Sequence, residues 1–166
     1  MTTIRTVDRL TDEEIGQLAD LLVATVADGA SVGWLPPLLR QDALTYWRQV
    51  VKPETLVFLA ETEGKVAGTV QLHLESRANG RHRGEIAKLM VSPEFRRRGI
   101  GRQLMDAAEA AAREQARTLL VLDTRAGDPS NVLYQAVGFV EAGRIPRYAL
   151  AATGELADTV IYYREL

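Results

Sequence analysis

The stretch "SPEFRRRGIGRQLM", residues 92 to 105, sets three consecutive arginines against two glycines and then enters a helical pattern of apolar residues. A predicted strand ends at Val91, so the turn after it exposes unpaired backbone amides at the N-terminus of a helix. Arg96 adds positive charge, and Gly99 and Gly101 permit positive φ and a close approach of the backbone to a ligand. The turn is therefore predicted to hold phosphate oxygens, helped by the helix dipole.

Two familiar phosphate motifs are absent from this turn. No Gly-Lys-Ser/Thr follows it, which removes the lysine and the magnesium-binding hydroxyl of a P-loop, and its spacing is not Gly-x-Gly-x-x-Gly. Nucleoside triphosphate chemistry and a Rossmann dinucleotide site are both disfavoured. Taken alone, Arg-x-x-Gly-x-Gly also fits a tight turn beside a solvated arginine face, so the flanking sequence has to decide.

The flanking segments predict a mixed sheet around the turn. "TLVFLAE" (55–61), "VAGTVQLHL" (66–74) and "GEIAKLMV" (84–91) have strand patterns separated by turn residues, which indicates three antiparallel strands. Residues 101 to about 115 form a helical pattern, and "TLLVLDT" (118–124) has the apolar character of a buried strand. The apolar stripe of that helix comprises Leu104, Met105, Ala108, Ala111 and Ala112. Residues 84–124 are thus predicted to form strand, glycine turn, helix and parallel strand.

Helices are predicted at both ends of this unit. Thr11 and Glu14 have capping-box spacing before a first amphipathic helix, and a glycine-rich, partly apolar loop over residues 27–38 separates it from a second one. The helical apolar positions are Ile15, Leu18, Leu22 and Val26, then Leu39, Ala43, Tyr46, Trp47 and Val50. "SNVLYQAVGF" predicts a short helix ended by Gly138, with strands near 139–145 and 159–163.

Composition restricts the class of protein. A chain of 166 residues that is 46% hydrophobic predicts one domain over 1–166. The net charge of -2 and the lack of aromatic residues among the arginines disfavour nucleic acid and anionic membranes as partners. Without cysteine, and with two histidines far from ligand spacing, we expect no metal site. The charged N-terminus and the absence of a long apolar run predict a soluble, cytoplasmic protein.

The glycine turn and its flanks resemble the GNAT superfamily of N-acetyltransferases, in which a [QR]-x-x-G-x-[GA] turn grips the pyrophosphate of acetyl-CoA. Arg96, Gly99 and Gly101 match its three positions. "EIAKLMV" is similar to the fourth strand of the family, "TLLVLDT" to the fifth, and "LYQAVGF" to the closing L-Y-x-x-x-G-F motif. More narrowly, "GASVGWLPPL", "LDTRAGDPSNVLY" and "GRIPRYAL" resemble the tabtoxin-resistance type, which acetylates a small amino-acid-like toxin.

The resemblance implies a fold and a cofactor. It implies an α/β (α+β) GNAT fold, with a mixed, mostly antiparallel sheet of about seven strands and about four flanking helices. Acetyl-CoA would be the acetyl donor, its pantetheine arm lying along the fourth strand with an amide near Leu89 as oxyanion donor. A homodimer would be common for this type. The cofactor-binding residues would be Leu89, Met90, Val91, Arg96, Arg97, Arg98, Gly99, Ile100, Gly101 and Arg102.

Two residues match catalytic positions of the family. Glu85 matches the glutamate base of several members, and partial burial would raise its pKa toward working pH. Alternatively, it lies at the start of a strand and pairs with Arg83 or Lys88. Tyr134 matches the tyrosine that protonates the departing CoA thiolate. Its alternative is a core tyrosine with an ordinary hydrogen bond.

The acceptor side is less defined. Asp123, Thr124, Arg125 and Asp128 cluster where the fifth strand ends, beside the pocket that such a unit opens. Arg125 is expected to take a carboxylate, and Asp123 or Asp128 an ammonium. Equally, Asp128 could cap the next helix. Trp34 would form an aromatic wall, although a hydrophobic plug or a dimer contact fits as well.

One position departs from the family pattern. Members often carry an asparagine that contacts the cofactor seven residues before the tyrosine, where this chain has Gly127. Asn131 is present but out of register, so that contact stays open. His73, on a strand of alternating pattern, is assigned no role.

Together these residues favour an acetyl-CoA-dependent N-acetyltransferase acting on a small amine, an amino-acid-like metabolite or antibiotic. Transfer would be direct within a ternary complex, because no cysteine exists to carry an acetyl intermediate. A protein lysine or N-terminus is an alternative acceptor, which needs an open groove rather than a lid. A non-catalytic acyl-CoA-binding module is a third alternative, against which Glu85 and Tyr134 argue.

Overall fold

A seven-stranded sheet runs through the computed structural model, which describes residues 1–166, and four α-helices pack on it. The helices are α1 (Asp12–Ala27), α2 (Arg40–Arg48), α3 (Ile100–Glu114) and α4 (Ser130–Ala136). The strands are β1 (Thr2–Val7), β2 (Thr55–Thr62), β3 (Lys65–Leu74), β4 (Arg83–Val91), β5 (Leu119–Arg125), β6 (Val140–Leu150) and β7 (Leu156–Glu165). Their order is β1-β2-β3-β4-β5-β7-β6, and every neighbouring pair is antiparallel except the parallel pair β4–β5. The predicted fold class is confirmed.

Helix α1 begins at the predicted capping box. The Thr11 hydroxyl accepts a hydrogen bond from the Glu14 amide at 3.2 Å, and the Glu14 carboxylate accepts one from the Thr11 amide at 2.7 Å. Two otherwise unpaired donors are satisfied in this way, which stabilises a helix start by about 1 kcal/mol. The buried face of α1 packs with α2 on one face of the sheet, in a cluster that includes Leu18, Leu22 and Trp47.

Helix α3 covers the opposite face of the sheet. Its buried side chains belong to a second cluster, with Tyr134 of α4 and residues of β2 to β5 and β7. Four of the five predicted stripe residues are buried, and Ala111 is half-buried at its margin. On the outer side, Arg113 Nη2 lies 2.9 Å from Glu109 Oε1, the predicted pair one helical turn apart. The crossover from β4 through α3 to β5 therefore has the predicted form.

The C-terminal strands are longer than the sequence indicated, and β1 was not identified individually. Strand β6 lies at the edge of the sheet and is exposed along nearly its whole length, so it lacks a hydrophobic alternation. Its pairing with β7 shifts between Ile145 and Ala149, where Arg147 has φ +55°. An edge strand with an irregular register carries little periodic signal, which explains the predicted early end near 145.

Strands β4 and β5 part soon after they meet, and this separation positions the site. Only Arg83, Gly84 and Glu85 pair with β5, opposite Leu119 to Val121. Beyond Glu85, the edge of β4 that faces β5 has no strand partner.

No helix has the length and apolar character needed to cross a membrane.

Candidate active site

A cavity of about 1190 Å³ opens where β4 and β5 separate. It is lined by the glycine turn, the second half of β4, the end of β5, helix α4, the loop that follows α1 and the hairpin end of β6 and β7. All but two of the predicted site residues line it, namely Glu85, Leu89, Met90, Val91, Arg96, Arg97, Gly99, Ile100, Gly101, Arg102, Asp123, Thr124, Arg125, Asp128 and Tyr134. Arg98 and Trp34 are absent from its lining. The separation of the two strands thus brings most of the predicted cofactor-binding, catalytic and acceptor-binding residues into one cavity.

The glycine turn has the backbone shape of an anion-binding site. Gly99 is the N-cap of α3 with φ +75°, as predicted, and Arg97 also has positive φ, +62°. Left-handed residues within such a turn direct successive amides to one side, which creates a concave patch of donors at the helix N-terminus. Phe95 is buried beneath the turn and anchors it in the core. The turn presents amides and charge together at one end of the cavity.

Two arginines of the turn have partners in the protein. The guanidinium of Arg96 donates to Asp28 Oδ2 at 3.3 Å from both terminal nitrogens. Arg98 lies over the Phe95 ring and reaches Glu63 at 3.5 Å, so its side chain does not line the cavity. Its predicted role in holding the cofactor is therefore not supported by its position. The positive φ at Arg97 turns the chain, and the side chains on either side of it point in different directions.

Gly101 does not adopt the positive φ that its lack of a side chain permits. It lies inside α3, so only Gly99 of the two glycines takes the left-handed conformation. A β-carbon placed at Gly101 would lie 3.1 Å from Leu133 Cδ2, a side chain of α4. The absence of a side chain at Gly101 allows α3 and α4 to approach closely at the wall of the cavity.

The second half of β4 offers its backbone to the cavity. The Met90 side chain is buried in the core beneath α1 and α2, while Leu89 and Val91 pack against the cluster beneath α3. The edge of this segment is the one that β5 leaves without a strand partner. Backbone donors and acceptors on a free strand edge can pair with an extended ligand arm as they would with a strand.

Glu85 projects from β4 into the cavity, where its carboxylate is open to solvent but surrounded by protein walls. This partial desolvation raises its pKa, and the negative charge of Asp123 raises it further, while Lys88 and Arg83 oppose the shift. The alternative of an ion pair with Arg83 or Lys88 is not realised. Arg83 pairs with Glu75 at 3.1 Å, and Lys88 lies over an aromatic ring.

Tyr134 is buried at 7% exposure and lines the cavity from α4. Its ring packs near Phe139 and Tyr162, with centroids 6.2 and 6.1 Å away. The residue borders the cavity, and no hydrogen bond of its hydroxyl to another protein group is found, unlike the core tyrosine considered above. Burial raises the pKa of Tyr134, with smaller contributions from the negative Asp123 and Asp128. The phenol is therefore neutral at physiological pH.

Asn131 supports the site indirectly. Its amide nitrogen donates to the carbonyls of Arg125 and Asp128 at 2.9 and 2.8 Å, and its oxygen accepts from the Tyr162 hydroxyl at 2.8 Å. It therefore fixes the loop between β5 and α4 to the sheet. Gly127 occupies that loop with φ +84°, a conformation that disfavours any side chain.

The predicted acceptor-binding residues at the end of β5 form hydrogen bonds and an ion pair within the protein. Arg125 Nε donates to Asp128 Oδ1 at 2.8 Å, so these two predicted substrate residues neutralise each other. Helix α4 has no side-chain cap, so the capping alternative for Asp128 is wrong. Asp123 accepts from the Thr159 hydroxyl at 3.1 Å, and Thr124 is hydrogen-bonded to Ser130 at 2.8 Å.

Lys88 lines the remaining wall and lies against Trp34, which does not itself line the cavity. Trp34 is half-buried, packs edge-on against Tyr46 at 4.8 Å between centroids, and carries the Lys88 ammonium 5.2 Å above its ring. Lys88 lines the cavity, and sequence reasoning treated it only as a partner for Glu85. The signal that could have identified it is a lysine inside the apolar run "EIAKLMV". Burial lowers the pKa of Lys88, while Glu85 and Asp123 oppose that shift.

Comparison with known proteins agrees with this geometry. Residues 18–139 match the Acetyltransferase (GNAT) family. The chain is 32% identical over 126 residues to an uncharacterized N-acetyltransferase of the hisH-hisA intergenic region of Azospirillum brasilense, covering 74% of this chain and 75% of that protein. It is 35% identical over 96 residues to N-alpha-acetyltransferase 30 of Xenopus laevis, covering 57% of this chain and 35% of the relative.

Solved structures share the whole fold. A ribosomal-protein-alanine N-acetyltransferase from Brucella melitensis superposes with a TM-score of 0.83 at 23% identity, covering 99% of each chain. The yncA protein of Salmonella typhimurium, solved with its cofactor acetyl-CoA, superposes with a TM-score of 0.83 at 18% identity, covering 100% of this chain and 94% of that one. At these identities the likeness concerns the fold.

Proposed function

The chain belongs to the GNAT acetyltransferase family and is an acetyl-CoA-dependent acyltransferase, and on that premise we propose that it acetylates the primary amine of a small, amino-acid-like molecule. Transfer is direct, within a ternary complex. The observation that carries this proposal is the single cavity that joins the glycine turn to Glu85 and Tyr134. The homodimer and the tabtoxin-resistance type, which rest on the sequence resemblance, belong to the same proposal, as does the cytoplasmic location.

The residues of the turn and of β4 fit the acetyl donor. The amides around Gly99 and the charge of Arg96 and Arg97 suit its phosphates, and the free edge of β4 suits its extended arm. Acetyl-CoA supplies an acetyl group activated as a thioester. An amide near Leu89 would donate a hydrogen bond to the carbonyl oxygen as negative charge develops there, a contribution that preorganised donors make without rearrangement.

Two side chains would move the protons. Glu85, with its raised pKa, accepts a proton from the attacking amine, since a base works best when its pKa is near the working pH. Tyr134 holds its proton at neutral pH and donates it to the thiolate as the carbon–sulfur bond breaks. The amine nitrogen then carries the acetyl group, and CoA leaves as the free thiol.

The loop that borders the acceptor end supports a small acceptor. The loop after α1 contributes Ser31, Val32 and Gly33 to the cavity wall. The next residue, Trp34, packs against Tyr46 of α2 and so holds the loop against that helix. Such a loop restricts access in the way a lid does. A second candidate acceptor is the N-terminus of a protein, which the similarity to N-alpha-acetyltransferase 30 favours.

The test measures binding and turnover separately. Thermal unfolding with and without acetyl-CoA reports binding, because a ligand of the native state raises Tm, whereas released CoA thiol reports transfer. The acceptor panel contains free amino acids and primary-amine antibiotics, peptides with free N-termini, and lysine peptides with blocked N-termini. We expect stabilisation by acetyl-CoA and thiol release with the small amines. Turnover of the peptides alone would replace the small acceptor by a protein one.

Tyr134→Phe tests the proton donor, with Tyr163→Phe as a matched control on β7. The Tyr134 variant should lose turnover by about 10²-fold or more, the usual contribution of general acid catalysis, while its acetyl-CoA affinity stays unchanged. The control should retain both. Equal turnover in the two variants would remove the general-acid role of Tyr134.

A further inference from the structure

A β-bulge in β4 gives Lys88 its position. Thr69 pairs with Met90 and Gln71 pairs with Ala87, so Lys88 and Leu89 together face the single residue between them on β3. Lys88 itself has φ +54°, a conformation that residues with a β-carbon rarely adopt. Such strain persists only where the surroundings enforce it, and it is concentrated at functional sites.

The bulge changes the direction of the lysine side chain. Side chains alternate along a strand, and Ile86, two residues earlier, is buried in the core beneath α3. A regular strand would send Lys88 into the same core. Instead its ammonium lies in the cavity, 5.2 Å from the centre of the Trp34 ring, and a β-carbon at Gly33 would come within 3.1 Å of it.

Among the cationic side chains at the acceptor end of the cavity, Lys88 is the one that has no carboxylate partner. It forms no ion pair within 4.0 Å, whereas Arg125 pairs with Asp128 at 2.8 Å. The other cationic side chains of the cavity wall, Arg96, Arg97 and Arg102, belong to the glycine turn and the start of α3. A half-buried ammonium held against an aromatic face gains most from an anion that completes its coordination.

We infer that Lys88 binds an anionic group, a carboxylate, of the acceptor while Glu85 and Asp123 receive its amine. The acceptor is then a molecule that carries a carboxylate close to its primary amine. This inference rests on the proposed function and adds a specificity-determining residue to it. Glu85 and Lys88 lie three residues apart on β4, and both line the cavity. One small molecule can therefore place its amine at Glu85 and its carboxylate at Lys88.

The test compares acids with their neutral counterparts. Amino acids, including those with amine and acid further apart, are assayed beside their carboxamides, which keep the amine and lose the negative charge. The enzyme is used as wild type, Lys88→Met, Lys88→Arg and the control Lys65→Met. Methionine keeps the apolar stem over Trp34, arginine restores the charge, and Lys65 is an exposed lysine that pairs with Glu94 outside the cavity.

We expect the wild type to prefer acids over amides in kcat/KM. Lys88→Met should reduce that preference by about 10- to 100-fold, the range for a lost hydrogen bond to a charged group, mainly through KM for the acid. Lys88→Arg should recover part of it, and Lys65→Met should match the wild type. Because Lys88 also acts on the pKa of Glu85, the readout is the ratio of the acid value to the amide value within each variant, and a change common to both substrates leaves this ratio unaltered.

Three results would overturn the inference. They are equal use of acids and amides by the wild type, an unchanged acid KM in Lys88→Met, and no turnover of any acid in the set. The proposed function fails differently: acetyl-CoA would not raise Tm, or no amine of any kind would release thiol. Turnover of amides or peptides without a preference for acids leaves the acetyltransferase in place and removes only the role of Lys88.

Discussion

Gly99→Ala is the most informative single change in the glycine turn. A β-carbon at this position would meet no atom closer than Gln103 Nε2 at 4.0 Å, so the substitution is not hindered by packing. Its effect on folding comes from the φ of +75°, since a side chain in the left-handed region costs roughly 1–2 kcal/mol. Alanine also restricts the unfolded chain, which returns roughly 0.4–1 kcal/mol. The net loss of about 0.5–1 kcal/mol lowers Tm by about 1–4 °C for a chain of this size.

Gly154→Ala supplies the matched control. Gly154, in the turn between β6 and β7, has φ +87° with no atom within 4 Å of an added β-carbon. Both variants should therefore lose a similar free energy of unfolding. Only Gly99→Ala should also lose acetyl-CoA affinity, by about tenfold or more, since one charge-assisted hydrogen bond contributes about 1.5 kcal/mol or more. Calorimetric titration with acetyl-CoA and thermal unfolding measure the two effects. Wild-type affinity in Gly99→Ala would refute the close approach of the phosphates to this backbone.

Three further changes have defined outcomes. Glu85 must be ionised to accept a proton, so kcat/KM should fall as the pH drops through its raised pKa. The variant Asp123→Asn removes a negative charge that raises this pKa. The acid limb of its pH–rate profile should therefore lie at lower pH than that of the wild type. A limb that moves to higher pH would contradict this assignment of Glu85 as the base. Asp28→Asn removes the exposed ion pair that holds Arg96. Since such pairs contribute about 1 kcal/mol or less, the variant should bind acetyl-CoA up to about fivefold more tightly in calorimetric titration. Weaker binding would contradict the expected role of Arg96. Thr11→Ala should lower the free energy of unfolding by about 1 kcal/mol in chemical denaturation without changing kcat, and an unchanged stability would show that the capping box is dispensable.

Features that depend on nearby residues were predictable from the sequence. The capping box of Thr11 and Glu14, the left-handed Gly99 and the helix stripe around Leu104 each follow from neighbours within one or two turns. The cluster of residues at the strand ends also followed, because a parallel strand after a crossover helix must lie beside the first.

Features that depend on distant register were missed. The direction of Lys88 is decided by how β3 pairs with β4, and no local pattern in "EIAKLMV" reveals a bulge. Gly101 was expected to approach a ligand, but its contact is with Leu133, far away in the chain. The mutual pairing of Arg125 and Asp128 likewise depends on the shape of the loop that joins β5 to α4.

Strand β6 has a consequence for how the protein behaves at high concentration. An uncovered strand edge is a template for uncontrolled strand addition, and this one carries exposed apolar side chains such as Ile145 and Tyr148. Pro146 removes one backbone donor from the strand, and the irregular register at Arg147 twists the edge locally. A missing donor and a local twist both disfavour the addition of a further strand, so we expect this edge to resist aggregation better than a regular strand would.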